Sequence, residues 1–324
     1  MRQLRKFLEQ QLQLAASRED LHWMMPMPVF IQGPPGIGKT AVVNQLAAEH
    51  EMQLITIRAA ALEPPDITGY PYQTKQGRLG YLLPEWLPIE RDQDVAPTIL
   101  FLDELNYAQP DVLRALQMVI DRNVHDVKLH DNVAIIGAGN HQEDNADVVQ
   151  LASPLVSRLK WYMATPSLEA FLRWSFGILH PLVQGYLTAS PESLYVAPTE
   201  RGQQFPCPRM WMEVSACCYG LSIGEQLKQE VQAALGEATA LSFFAKLPLL
   251  GQLTPLEQLL DGVCSEDTEL QVIESGMVKH HLRIRLLEGE ITRDAATELV
   301  QKLTDMNREL RQAAMNYIVE GREY

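Results

Sequence analysis

The stretch that most constrains this chain is Gly33-Pro34-Pro35-Gly36-Ile37-Gly38-Lys39-Thr40. Its spacing, Gly-x-x-x-x-Gly-Lys-Thr, is that of a phosphate-binding P-loop, and it lies in the setting such a loop requires. Pro28-Val-Phe-Ile-Gln32 before it has the length of a buried strand, and Ala41 to His50 after it has a helical pattern. Gly36 and Gly38 let the backbone wrap, so that successive N–H groups point at one anion while the helix N-terminus adds its positive end. Pro34 and Pro35 donate nothing but stiffen the way into the loop. Lys39 is placed to reach the β- and γ-phosphates, and the Thr40 hydroxyl to ligate Mg²⁺. The alternative is a chance match in a surface loop, which the flanking strand and helix argue against.

Further strands are expected at Met52–Arg58, Pro97–Leu102, Asn132–Ile136 and Leu159–Met163. A helix is expected over Asp111–Ile120, where Val112, Leu116 and Val119 recur at helical spacing behind a Pro110-Asp111 start. Near-continuous apolar strands alternating with helices predict an α/β fold, a parallel doubly wound sheet flanked by helices. Glu63–Pro88 reads as an irregular insertion with a short hairpin around Gln76-Gly77. Asp103 closes the strand Thr98–Leu102 as a second Mg²⁺ partner, and Glu104 beside it is the group to polarise an attacking water. An acidic pair at a strand end also serves as a solvated turn or a helix cap; behind a P-loop, catalysis is favoured.

From Ser167 onward the strand signal fades into Pro-rich loops and helical patterns, which places a domain boundary near Pro166. The last helix is expected from Leu299, Val300, Leu303, Met306, Leu310, Ala313 and Tyr317. The 324 residues carry 27 Lys+Arg against 41 Asp+Glu, a formal net charge of −14. That balance argues against coating nucleic acid or an anionic membrane by bulk charge. No segment reaches the roughly 20 apolar residues of a membrane span, so no membrane partner is expected. Cys207, Cys217, Cys218 and Cys264 form no CxxC pair, and a reducing, cytoplasmic setting is expected. The histidines, including His180 and His280-His281, show no metal-ligand spacing.

Taken in order, these residues resemble the AAA+ ATPases. Ile99-Leu-Phe-Leu-Asp-Glu-Leu-Asn106 is similar to their Walker B strand, with an ending like that of the MoxR branch. Asn140, in Gly137-Ala-Gly-Asn140, matches the sensor 1 polar residue that helps place the lytic water. Arg158, in Pro154-Leu-Val-Ser-Arg158, stands where the family carries its arginine finger. Arg209, in Phe205-Pro-Cys-Pro-Arg-Met-Trp211, matches the sensor 2 arginine opening a helix of the lid. Glu63-Pro-Pro-Asp-Ile-Thr-Gly69 resembles the loop of MoxR-like members after the second strand. Each has a plainer reading: Asn140 as a turn residue, Arg158 as a surface arginine paired with an acid, Arg209 as structural. Tyr70 and Tyr72 read either as aromatics facing a central pore or as packing for their own loop. Two departures stand out. The segment Arg122–Asp131, where the family has an extra hairpin, is short, and Asn140 is followed by His141-Gln-Glu-Asp-Asn145 rather than Asn-Pro.

The resemblance implies an AAA+ nucleotide-binding α/β domain with an N-terminal helix over 1–165, an all-α lid over 166–250 and a helical extension over 251–324. It implies ATP and Mg²⁺ as cofactors and a homo-oligomer, usually a hexameric ring, in which Arg158 serves a neighbour's site. It further implies ATP hydrolysis used to remodel or activate a partner protein, often one with a von Willebrand factor A domain. Two other readings stay open: a nucleic-acid-linked motor or loader of McrB type, which wants a basic pore or added DNA-binding domain, and a nucleotide-gated scaffold of low turnover.

Overall fold

The computed structural model describes residues 2–16, 27–141 apart from 93, 148–260 apart from 201, 263–287 apart from 264 and 266, and 292. The expected helix over Leu299–Tyr317, residues 142–145 and Cys264 lie outside the described residues. The chain divides into two compact units, Met1–Thr165 and Pro166–Tyr324.

The first unit opens with α1 (Arg2–Ala16), which buries Leu4 and Leu8 and ties Arg5 to Glu49 at 2.6 Å. The strands β1 (Val29–Gln32), β2 (Gln53–Arg58), β5 (Thr98–Asp103), β8 (Val133–Gly139) and β9 (Lys160–Met163) form one five-stranded sheet. Its order is β2-β5-β8-β1-β9 and every pairing is parallel. The apolar runs of β1, β5 and β8 occupy its middle and are almost wholly buried, whereas the edge strands β2 and β9 alternate in exposure. This is why the central strands read as continuous apolar segments. Helix α2 (Lys39–Glu49) follows β1, and α4 (Pro110–Ile120) follows β5 with Pro110 in its first turn. The second starts one residue before the expected Asp111, with Gln109 as its cap.

The stretch Glu63–Pro88 carries the hairpin expected around Gln76-Gly77 and a helical turn besides. A single helical turn, α3 (Pro65–Thr68), leads into an antiparallel hairpin of β3 (Tyr70–Gln73) and β4 (Leu79–Leu82), closed around Gly77. Residues 122–131 hold a hairpin despite their shortness. Strands β6 (Asn123–Val124) and β7 (Val127–Lys128) are joined by His125 and Asp126, at φ 50° and 63°. Two consecutive positive φ values make a two-residue turn whose twist matches the strands it joins. Arg122 braces the base, donating to the carbonyls of Val133 (2.8 Å) and His130 (2.7 Å).

The second unit is helical: α6 (Leu168–Trp174), α7 (Pro181–Ala189), α8 (Pro208–Gly220), α9 (Glu225–Leu235), α10 (Glu237–Leu250), α11 (Leu256–Leu260) and α12 (Thr268–Leu287). The start signals are local. Ser167 caps α6 by accepting from the Ala170 N–H (3.3 Å), and Pro181 and Pro208 open α7 and α8. Its core is built on Tyr186, Trp211 and Phe243, whose ring centroids lie 5.2 to 6.0 Å apart. Cys207 is buried, while Cys217 and Cys218 are half-buried rather than full core residues, and all three are free thiols.

Candidate nucleotide site

In a parallel sheet, ligands gather outside the carboxyl ends of the strands, where the chain leaves one strand for opposite directions. Here that position is β1, flanked by β8 and β9. The loop Gly33–Thr40 leaves the end of β1, Asp103 ends β5, and Asn140 follows β8. Gly36 and Gly38 adopt φ of 75° and 94°, a region that only glycine enters freely. Gly33 is required for a different reason: a Cβ there would overlap the carbonyl oxygen of Ala164 beyond β9. Ile37 is buried and pins the loop to the core.

Lys39 is only 9% exposed. Its Nζ donates to the carbonyls of Gly33 (2.6 Å) and Pro34 (2.8 Å) and to Asn140 Oδ1 (2.7 Å). These three oxygens hold the ammonium at the mouth of the loop. Thr40 Oγ1 donates to Asp103 Oδ2 at 2.9 Å, and Asp103 Oδ1 accepts from the Glu104 N–H at 2.9 Å. A hydroxyl beside an oriented carboxylate is a hard, all-oxygen donor set, suited to a divalent cation that completes its shell with phosphate and water. No group of three or more His, Cys, Asp or Glu that could hold a metal by itself occurs among the described residues.

Glu104 sits at φ 56°, ψ 34°, a left-handed conformation rare for a residue with a side chain. It opens the 3₁₀ turn Leu105–Tyr107. Strain of this kind persists where the surroundings over-determine the backbone, and it concentrates at functional positions. Two residues of that turn complete the site. Asn106, 3% exposed, donates from Nδ2 to the carbonyl of Asn140 (2.8 Å) and accepts the Asn140 N–H at Oδ1 (3.1 Å). Tyr107 Oη accepts from Asn140 Nδ2 at 2.9 Å. Neither was singled out by sequence reasoning, although a buried Asn behind an acidic pair is itself a signal, because buried polar groups must be partnered.

Within the first unit, Arg158 makes its bonds away from this cluster. Arg158 follows α5 (Ser153–Val156), with Nε paired to Asp121 and Nη1 donating to Pro154 O at 2.6 Å. Arg209 lies in the second unit, exposed in the first turn of α8. Tyr72 lies across Gly80, where a Cβ would come within 2.7 Å of its ring, and Tyr70 is 62% exposed.

The fold and the loop define a P-loop nucleoside triphosphatase, with a helical C-terminal region. Residues 29–163 match the family described as "ATPase family associated with various cellular activities (AAA)". The matched stretch runs from β1 through β9 and holds the phosphate loop, and the match to a family of ATPases supports ATP hydrolysis. Similar solved structures include RuvB of Thermotoga maritima. A Thr-to-Val variant is 15% identical and covers 97% of this chain and 87% of its own, with a TM-score of 0.41. A second, described as the RuvB Holliday junction branch migration motor, is 14% identical over 95% and 86%, with a TM-score of 0.39. No curated protein matches this chain. No helix among the described residues is long and apolar enough to cross a membrane.

Proposed function

We propose that this chain is a ring-forming ATPase of the MoxR-like branch, which spends ATP hydrolysis on remodelling or activating a partner protein. The observation that carries the reading is the convergence at one end of the sheet: Lys39 on Asn140 at 2.7 Å, and Thr40 on Asp103 at 2.9 Å. Gly33, Pro34, Pro35, Gly36, Ile37 and Gly38 shape the cradle for the phosphates of ATP, and Lys39 gives up loop carbonyls for them. Thr40 and Asp103 would hold Mg²⁺, whose charge would offset that of the triphosphate. Glu104 orients the attacking water and Asn140 fixes its position.

Arg158 is the finger offered to a neighbouring subunit. Its exposed guanidinium, steadied by Asp121, suits a group that must reach outward. Arg209 serves as the lid's contact to the phosphates. A cation in the first turn opposes the helix dipole, so α8 gains nothing from it, which favours a ligand-directed role. The organisation that goes with this reading is a nucleotide domain over 1–165, a lid over 166–250 and an extension over 251–324. The assembly is a homo-hexamer in the cytoplasm, and the partner a protein with a von Willebrand factor A domain.

The test is purification of the wild type and Glu104→Gln, with size-exclusion chromatography in ATP and a turnover assay. The reading expects an ATP-dependent oligomer in both and hydrolysis only in the wild type. Normal turnover by Glu104→Gln, or a wild type that stays monomeric in ATP, overturns it. Stimulation of turnover by DNA would replace the protein-remodelling reading with that of a nucleic-acid motor.

A further inference from the structure

We propose that Asn106 and Tyr107 are positioning residues for hydrolysis, acting through Asn140; the inference rests on the role assigned to Asn140 above. Asn140 follows the last residue of β8 and has no helix or strand partner of its own to fix it. Its backbone is instead gripped at both polar groups by one buried side chain. Asn106 Nδ2 donates to its carbonyl and Oδ1 accepts its N–H, the pairing that one strand would offer another. Gln32 Nε2, at the end of β1, adds a third bond to the same carbonyl at 3.3 Å. The backbone of Asn106 is fixed in turn, its carbonyl accepting the Val149 N–H at 2.7 Å.

The side chain is fixed separately. Lys39 carries only donors, so the face of the Asn140 amide toward it must be the oxygen. The amide nitrogen then needs an acceptor on the other side, and the Tyr107 hydroxyl supplies it at 2.9 Å. When phosphates draw the Lys39 ammonium away, the bond on the oxygen side is lost. The bonds from Asn106 and Tyr107 do not depend on Lys39 and hold Asn140 in place during turnover. Both residues belong to the turn that Glu104 opens, so the water-orienting carboxylate and the water-placing amide move as one body. The sequence string Asp103-Glu-Leu-Asn-Tyr107 thus carries two functions, cation binding and activation at its start and registration of the next strand at its end.

The experiment is a double-mutant cycle on the full chain, with kcat and KM for Mg·ATP and the melting temperature measured for each variant. Tyr107→Phe removes one hydroxyl from a half-buried ring. It is expected to lower kcat about three- to tenfold, the worth of one hydrogen bond, with KM and melting temperature nearly unchanged. In an Asn140→Ala background the same substitution is expected to change kcat by less than about twofold. An unchanged kcat for Tyr107→Phe, or an equal loss in both backgrounds, overturns the proposal. Wild-type turnover by Asn140→Ala overturns the role of Asn140 and the proposal with it. Loss of turnover in Asn140→Ala beside an inert Tyr107→Phe overturns the proposal alone. Asn106→Asp, which keeps the acceptor and loses the donor, is expected to retain more turnover than Asn106→Leu; the reverse order contradicts the pairing.

Discussion

Adding one methyl group at Gly139 tests how tightly the site is assembled. Gly139 ends β8 and its φ lies outside the left-handed region, so alanine there meets no backbone penalty. The cost is steric. The new Cβ would overlap Asn106 Oδ1 and come within 2.7 Å of both Asn106 Cγ and Phe30 Cζ. Phe30 is fully buried in the sheet and Asn106 is 3% exposed, so neither has open space to retreat into. Overpacking of this kind costs about 1–3 kcal/mol. Displacing Asn106 would also weaken its two bonds to Asn140, at about 0.5–1.5 kcal/mol each. The sum, roughly 2–6 kcal/mol, corresponds to a drop of about 4–24 °C in the melting temperature of a unit this size. Differential scanning calorimetry reads the shift, and a turnover assay reads the displacement of Asn140 as a fall in kcat. Gly220→Ala is the control, because a Cβ there meets nothing within 4 Å. A Gly139→Ala protein that melts within about 1 °C of the wild type and hydrolyses ATP normally would refute the tight bracket around Asn140.

Glu104→Gly relieves a left-handed residue costing about 1–2 kcal/mol and gives back part of that as chain entropy. It is expected to raise the melting temperature slightly while abolishing turnover, and a destabilised variant would show that Glu104 is not strained. Burial lowers the pKa of His180 below its ordinary value of 6.5, and its neutral Nδ1 accepts from the Leu182 N–H at 3.2 Å to cap α7. A lowered folded-state pKa means that this stabilisation is complete above the ordinary value and is lost as pH falls through the folded one. Chemical denaturation should therefore show about 1 kcal/mol of stability disappearing in mildly acid buffer, and His180→Asn, which caps without titrating, should flatten that slope. Burial pushes the Cys218 thiol up to about 11, so alkylation at pH 8 should label it far more slowly in the native chain than in denaturant. Equal rates would mean that the thiol is open to solvent.

The sheet was legible in the sequence because its central strands are buried on both faces. Val29–Ile31, Ile99–Leu102 and Val133–Ile136 had to be continuously apolar, and they read that way. The phosphate loop was legible because its glycines answer to geometry that no other residue satisfies. Within Glu63–Pro88 the hairpin was legible from its Gln76-Gly77 turn and not from its strands, since β3 and β4 expose Tyr70, Leu79 and Leu82 and show no alternation of buried and solvent faces. The hairpin at 123–128 hid for another reason. Its turn uses His125-Asp126 where the strong signal would be Asn-Gly, and only the observed φ values reveal it.

Asn106 marks a deeper boundary of sequence reading. The chain offers Asp103, Glu104 and Asn106 as three polar residues in four positions, and nothing in their spacing separates the two left accessible from the one buried in the protein. The left-handed turn at Glu104 does that, by redirecting the chain so that Asn106 points back toward the end of β8. That turn is also what lets a residue with a side chain stand at Glu104 at all, because the bond from its N–H to Asp103 and the grip of Asn106 on Asn140 hold the conformation from both ends. The strain and the bracket therefore imply one another: without the bracket, Glu104 would relax toward an ordinary backbone conformation and re-aim its side chain. On the roles proposed for Glu104 and Asn140, both water-handling groups depend on one turn and are lost together, so Asn106→Leu should resemble Glu104→Gln in turnover.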